Sequence, residues 1–301
     1  MKLHILGCYA ATPSLMGNPT AQILEVRDHL FLIDCGEGTQ VQLRKHKIKF
    51  SRINHIFISH LHGDHFFGLP GLVATFQLLG REKELHIYGP SGIKEVVLML
   101  LRVGNSWTSF TIIFHELDAK EPIEIFEDNK VTVSTIPLSH RIYTNGFLFR
   151  EKSKERILNT EAVAAYKIDK AYFKNIKKGK DVLLENGEEI SNTLLTLDPP
   201  KPKSYAFCSD TAYDPGISEW INGVDALYHE ATFLASEAHL ASKTMHSTAE
   251  EAAKIAKAAH VKLLILGHFS IRYKKKEEFI KEAVPHFANV QLAEDGKLVI
   301  F

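Results

Sequence analysis

The sequence predicts an α/β protein built from two mixed β-sheets flanked by helices, and three observations carry that expectation. Short apolar, β-rich runs recur along all 301 residues. Segments with helical periodicity lie between several of them. Strands and helices nevertheless do not alternate strictly in the first half, which argues against one doubly wound sheet.

In chain order, the strand-like runs are "LHIL" (3–6), "AQILEV" (21–26), "LFLID" (30–34), "HIFIS" (55–59), "LHIYG" (85–89), "TIIFHEL" (111–117) and "VTVSTI" (131–136). Later come "GFLF" (146–149), "SYAFCS" (204–209), "DALY" (225–228), "LLILG" (263–267) and "KLVIF" (297–301). Helical patterns fall at 37–46, about 64–79, 91–103, 247–260 and 277–284. The last but one starts with an expected capping box, Ser247 as N-cap and Glu250 three residues on.

Length and composition set outer limits. The chain is about twice a typical domain, yet large sandwiches run this long as one unit. Lys+Arg and Asp+Glu balance at 36 each, so a polyanionic partner would have to meet a local basic patch and not a global field. Cys8, Cys35 and Cys208 form no CxxC pair and read as small buried residues in a reducing compartment. There is no long apolar leader and no 18-residue apolar run, so the protein is expected to be cytoplasmic and away from membranes. Residues 150–180 break the texture, with ten Lys/Arg against four acids. On charge alone that interval is either a solvated insertion or a phosphate-contacting arm. It leads into a hairpin over "DVLLENGEEI" with an Asn186-Gly187 turn.

Histidine is the outlier, with 16 copies. In "FISHLHGDHFFG" (57–68), His60, His62, Asp64 and His65 occupy six positions just after an apolar strand. A strand end and tight turn at Gly63 can aim His60 and His62 at one point, with Asp64 and His65 aimed beside it. Imidazole and carboxylate donors suit Zn²⁺, with manganese or iron as substitutes. Further candidates follow other apolar runs directly: His140, Asp210, His229 with Glu230, and His268. Strand ends would gather them along one sheet edge.

Taken together, "SHLHGDH", "DCGEGTQ", "GLPGL", "IYGPSGI", "LSHR", "CSDTAY", "HEATF", "HSTAEEAA" and "GHFSIRY" resemble the metallo-β-lactamase fold and, within it, the ribonuclease Z family over essentially the whole chain. The resemblance implies an αββα sandwich spanning 1–301 as one domain, with an inserted basic arm at about 150–182. It implies two zinc ions per subunit, one held by His60, His62 and His140, the other by Asp64, His65 and His268, with Asp210 bridging. His229 matches no ligand. Asp64 would also accept the proton of the attacking water. His246, read as an exposed group needed by no metal, is the expected proton donor to the leaving oxygen, oriented by Glu230. Ser270 and Arg272 are expected at the substrate phosphate, and Lys177, Lys178 and Lys180 on the arm. The expected reaction is removal of the 3′ trailer of precursor tRNA, leaving a 3′-hydroxyl, by a homodimer. The alternatives are another dinuclear-zinc hydrolase acting on a phosphodiester, sulfate ester or thioester, or a non-catalytic RNA-binding protein. One departure lies at 12–20, where Leu15 and Gly17 stand where relatives carry basic residues.

Overall fold

Near-continuous apolar strands need cover on both faces, and the structure supplies it. The structure, a computed structural model, describes residues 1–15, 17–184 and 186–301. Among these, the first sheet has seven strands in the order Leu298–Ile300, Lys2–Gly7, Ala21–Val26, His29–Ile33, Ile53–Phe57, Leu85–Pro90 and Ile112–Leu117. The second also has seven, in the order Val290–Leu292, Leu264–Gly267, Ala226–Glu230, Ser204–Cys208, Thr144–Glu151, Val131–Leu138 and Glu124–Glu127.

Alternation along each strand divides the core in two. Ile5, Leu24, Phe31 and Phe57 face the second sheet and pack with Val133, Phe147, Phe149 and Phe207. Their neighbours Leu6, Ile23, Leu32 and Ile56 turn the other way, onto Leu43, Leu69, Val73, Phe76, Ile93 and Val97 from the outer helices. The result is the metallo-β-lactamase αββα sandwich.

Both sheets contribute parallel strands whose carboxyl ends share a rim. Cys208 pairs in register with His229, and Glu230 with Gly267. On the first sheet, the Asp34 amide donates to the Phe57 carbonyl at 2.8 Å. Open α/β sheets place ligand sites at such carboxyl ends.

Two short strands, Glu124–Glu127 and Val290–Leu292, carry no clear sequence signal; both lie at a sheet edge, where less burial is demanded of them. The helical pattern at 64–79 divides into Gly63–Phe66 and Gly68–Leu78. The capping box sits one residue later than expected. Thr248 is the N-cap and Glu251 its partner, with the Thr248 amide donating to Glu251 Oε2 at 2.8 Å. Ser247 is taken up elsewhere, donating its hydroxyl to the Thr211 carbonyl at 2.8 Å. All three cysteines are free and buried.

The chain divides into two compact units, one of residues 1–127, 131–150 and 203–301, the other of 128–130 and 151–202. The second unit has its own small core of Val163, Ile168, Ile176, Val182, Ile190 and Leu195. It runs about twenty residues past the expected end near 182, because Ile157–Leu158 pairs with Thr196–Leu197. Asn192 ties it inward, donating to the carbonyls of Ile176 and Lys180 at 2.6 and 3.0 Å. Lys167, Lys170, Lys174, Lys177, Lys178 and Lys180 are all exposed. The segment 181–198 that follows brings five acids, so the excess of positive charge belongs to 150–180 and not to the unit as a whole. Val182–Leu183 pairs with Glu189–Ile190, and Gly187 takes a left-handed φ of 84° that the turn requires; Glu185 of this hairpin lies outside the described residues.

Truncating the central inter-sheet side chain, Phe31→Ala, is expected to cost about 3–5 kcal/mol in a urea unfolding curve.

Candidate metal centre

The turn after Ile53–Phe57 is held by Asp34, which directly follows His29–Ile33. Its carboxylate accepts from the Ser59 amide at 2.7 Å and the Ser59 hydroxyl at 2.9 Å. It also takes the Nδ1 proton of His65 at 2.7 Å. Both Asp34 and His268 adopt left-handed backbone, φ 56° and 57°, a strained conformation for these residues that recurs at functional sites.

These bonds fix tautomers. The Ser59 hydroxyl donates to Asp34, so toward His60 Nδ1, 3.0 Å away, it accepts. The Thr232 hydroxyl donates to Glu230 Oε2 and therefore accepts from His268 Nδ1 at 2.9 Å. His140 Nδ1 donates to the Met245 carbonyl at 2.9 Å. With Nδ1 protonated on His60, His65, His140 and His268, each ring aims the Nε2 lone pair inward.

Those lone pairs converge with carboxylate oxygens. His60 Nε2 and His140 Nε2 lie 3.0 and 3.3 Å from His62 Nδ1, and 3.6 and 4.0 Å from Asp210 Oδ2. His65 Nε2 and His268 Nε2 are 3.3 Å apart; each lies 3.5 Å from Asp64 Oδ2, and they lie 3.4 and 3.1 Å from Asp210 Oδ1. Asp210 thus turns one oxygen to each cluster. Ligand atoms lie within 4.8 Å of one another in three overlapping sets: His60, His62, His140 and Asp210; Asp64, His65 and His268; and Asp210, Glu230, His246 and His268. Facing lone pairs with carboxylates between them repel unless a cation sits among them, and this donor set fits divalent zinc or a similar ion.

Electrostatics carry the same demand. Burial lowers the His60 pKa well below the ordinary histidine value. Burial opposes charge on His65 too, but Asp210, Asp64 and Asp34 raise it well above that value. Burial pushes the Asp64 carboxyl up, but His65 and His268 hold it far below the carboxylate range. The Ala11 amide also donates to Asp64 Oδ2 at 2.8 Å.

Beside the clusters, Glu230 is completely buried. It accepts from the amides of Thr211 and Ser247 at 2.6 and 3.1 Å, and its Oε1 lies 2.8 Å from His246 Nδ1. Burial alone would lower the His246 pKa; the Glu230 charge and hydrogen bond raise it to about 9. His246 was expected to be exposed; its side chain is instead only 12% exposed. It reaches a cavity of about 620 Å³ together with His62, Asp64, Asp210, His268 and Ser270.

Arg272 does not join that cavity. Its guanidinium lies over the Phe233 ring at 5.1 Å and 3.7 Å from Glu237 Oε2. Arg141 lines the cavity in its place, with Phe67 and Phe233. His229 is buried, with Nδ1 donating to the Glu230 carbonyl at 2.8 Å, and stands outside all three sets. Lys177, Lys178 and Lys180 belong to the second unit. Leu15 is fully exposed and Met16 lies outside the described residues, while Ala10 to Pro13 and Pro19 form one cavity wall without a cation. Asp34 and Thr232 are the supports that sequence reasoning missed. The signal for Asp34 was present, since it follows a strand directly, as His268 does.

An αββα sandwich with two histidine–carboxylate clusters joined by one aspartate defines a metal-dependent hydrolase of the metallo-β-lactamase fold. Comparison with known proteins narrows the class. The chain is 48% identical to a ribonuclease Z of Bacteroides fragilis, over 98% of its own length and 97% of that protein's. The human short-form tRNase Z has a crystal structure that aligns over 100% of this chain and 99% of that one, with a TM-score of 0.72 at 28% identity. Bacillus subtilis YhfI, at 17% identity and a TM-score of 0.70 over 99% of each chain, shares the fold. Residues 1–291 also match a family model described as Anti-Pycsar protein Apyc1. The chain belongs to the ribonuclease Z family.

Replacing Asp34 with Ala is expected to weaken metal affinity about 10–100-fold in a chelator competition, because the His65 ring loses its anchor. Asp210→Ala should abolish stoichiometric metal binding, read by elemental analysis.

Proposed function

We propose that the protein is a zinc-dependent endoribonuclease that cuts precursor tRNA at the 3′ trailer and leaves a 3′-hydroxyl on the tRNA. The observation that carries this reading is Asp210, one oxygen toward each cluster, beside a His246–Glu230 pair on the same cavity. His60, His62 and His140 would hold one ion, Asp64, His65 and His268 the other, and Asp210 both. Zinc in such a pair supplies Lewis acidity, lowering the pKa of water and neutralising charge on phosphoryl oxygens.

The chain's own groups do the rest. Asp64, held ionised, accepts the proton released as water attacks phosphorus. His246 has Nδ1 engaged by Glu230, which leaves Nε2 for the cavity. With its pKa raised to about 9, the ring is charged at neutral pH and can give a proton to the departing 3′ oxygen. Glu230 then favours return of that proton. Arg141 and Ser270 reach the same cavity and suit the phosphate. The exposed Lys177, Lys178 and Lys180 suit the phosphate backbone of the tRNA body as a gripping arm. We infer a homodimer as the working form, as the resemblance to ribonuclease Z implies. No helix among the described residues is long and apolar enough to cross a membrane.

His246→Ala is expected to slow trailer removal about 10²–10⁴-fold with metal content unchanged. Loss of metal in that variant would remove His246 from the donor role. Incubation with a chelator should abolish the cut at the trailer boundary and added Zn²⁺ restore it; a cut that survives chelation sinks the metal-dependent reading.

A further inference from the structure

The catalytic cavity and the 150–180 interval leave one strongly charged surface unused. Residues 44–52, "RKHKIKFSR", carry Arg44, Lys45, Lys47, Lys49 and Arg52, and no Asp or Glu occurs between Glu37 and Asp64. All five cations are exposed. The Arg44 guanidinium lies over the Phe50 ring at 5.2 Å, and Arg52 reaches only the Asp28 carbonyl, at 3.3 Å. Among the described residues, none of the five forms an ion pair with a carboxylate.

The stretch borders a second cavity, of about 590 Å³. Its apolar wall is Ile48, Phe50, Phe76 and Leu79; Lys49, Arg52, Arg81 and Lys83 surround it, against one acid, Glu82. Arg81 is a built part of that wall. Its guanidinium donates to the carbonyls of Ile53, Lys83 and Glu84 and to Asn54 Oδ1 at 2.6–2.9 Å, and it packs on Phe76 at 5.0 Å. Its acceptors are all neutral, so its charge is not cancelled by a carboxylate.

The chain itself connects this cleft to the metal centre. Glu37 lines the catalytic cavity, and the helix Thr39–Lys45 then leads away for seven residues, about 10 Å, with Arg44 and Lys45 in its last turn. Arg52 stands at the start of the strand Ile53–Phe57, and His60 lies eight residues further on, about 25 Å at strand rise.

A group of exposed cations beside an aromatic-walled cleft suits single-stranded nucleic acid, whose backbone meets the charges and whose bases stack on rings or guanidinium planes. A paired stem would offer the cleft no free base. In a precursor tRNA the single strand beyond the scissile phosphate is the trailer. We propose that the surface 44–52 and the Phe50 cleft form a binding track for the 3′ trailer, running from the catalytic cavity toward the opposite end of the first sheet. The inference rests on the endoribonuclease reading above.

The test uses the full-length zinc-loaded protein and two precursor tRNAs that differ only in trailer length. A single-nucleotide trailer cannot reach Arg52, whereas about fifteen nucleotides can, even stacked at roughly 3.4 Å each. The triple variant Lys47→Glu, Lys49→Glu, Arg52→Glu should raise KM for the long-trailer substrate about tenfold and lower its salt dependence by about two in log–log slope. KM and kcat for the short-trailer substrate should stay within about twofold of wild type, which also shows that the variant folds. Equal loss on both substrates, or no loss on either, overturns the trailer track. If the wild type cuts neither substrate, the endoribonuclease reading itself fails, and the track with it.

Discussion

The buried carboxylate of Asp210 is the constraint around which the rest of the centre is arranged. Only 2% exposed, it cannot be solvated, and burial alone would make it a neutral acid. The surrounding histidines, His268 and His65 foremost, hold it well below the carboxylate range instead. A buried charge persists only when others compensate it in good geometry. Here the compensation comes from both sheets at once, so the sandwich and the centre stand or fall together.

The supports around the centre are as specific as the inner groups. Asp34 orders the Ser59 turn and the His65 ring with one carboxylate. The Thr232 hydroxyl donates a hydrogen bond to Glu230 and accepts one from His268, which links the metal-facing ring to the buried acid beneath His246. Rotating any one hydroxyl would change which nitrogen of a histidine is free, and a ring with its proton inward is no ligand. Left-handed backbone at Asp34 and His268 is tolerated because the surrounding sheet edges over-determine these positions.

The same elements tie catalysis to recognition. The turn 57–68 delivers four of the seven donors proposed to hold metal and also exposes Phe67 at the cavity mouth. The loop from Glu230 to Phe233 carries the acid that charges His246 and one wall of the cavity. Charge follows a comparable division: the whole chain is neutral, while the exposed cations of 44–52 and 150–180 each form a local surface. Steering of a polyanion therefore depends on where cations lie, not on their total.

Much of this was legible in the sequence, because strand runs with period two and polar residues at their ends are local signals. They placed His60, His62, Asp64, His65, His140, Asp210 and His268 at one rim without coordinates. What the sequence could not decide depends on groups far apart along the chain. Ser247 and Thr248 are equally good N-caps in isolation; only the demand of Thr211 and Glu230 on Ser247 moved the cap to Thr248. Arg141 and Arg272 each stand in a loop shortly after a candidate ligand, His140 and His268, and only the packing of Arg272 on Phe233 beside Glu237 took it away from the cavity. The tautomers, the orientation of Asp210 with one oxygen to each cluster and the raised pKa of His246 arise from contacts spanning tens to hundreds of residues. Local patterning selects which groups are available, and tertiary packing decides which lone pair, proton or charge each one presents.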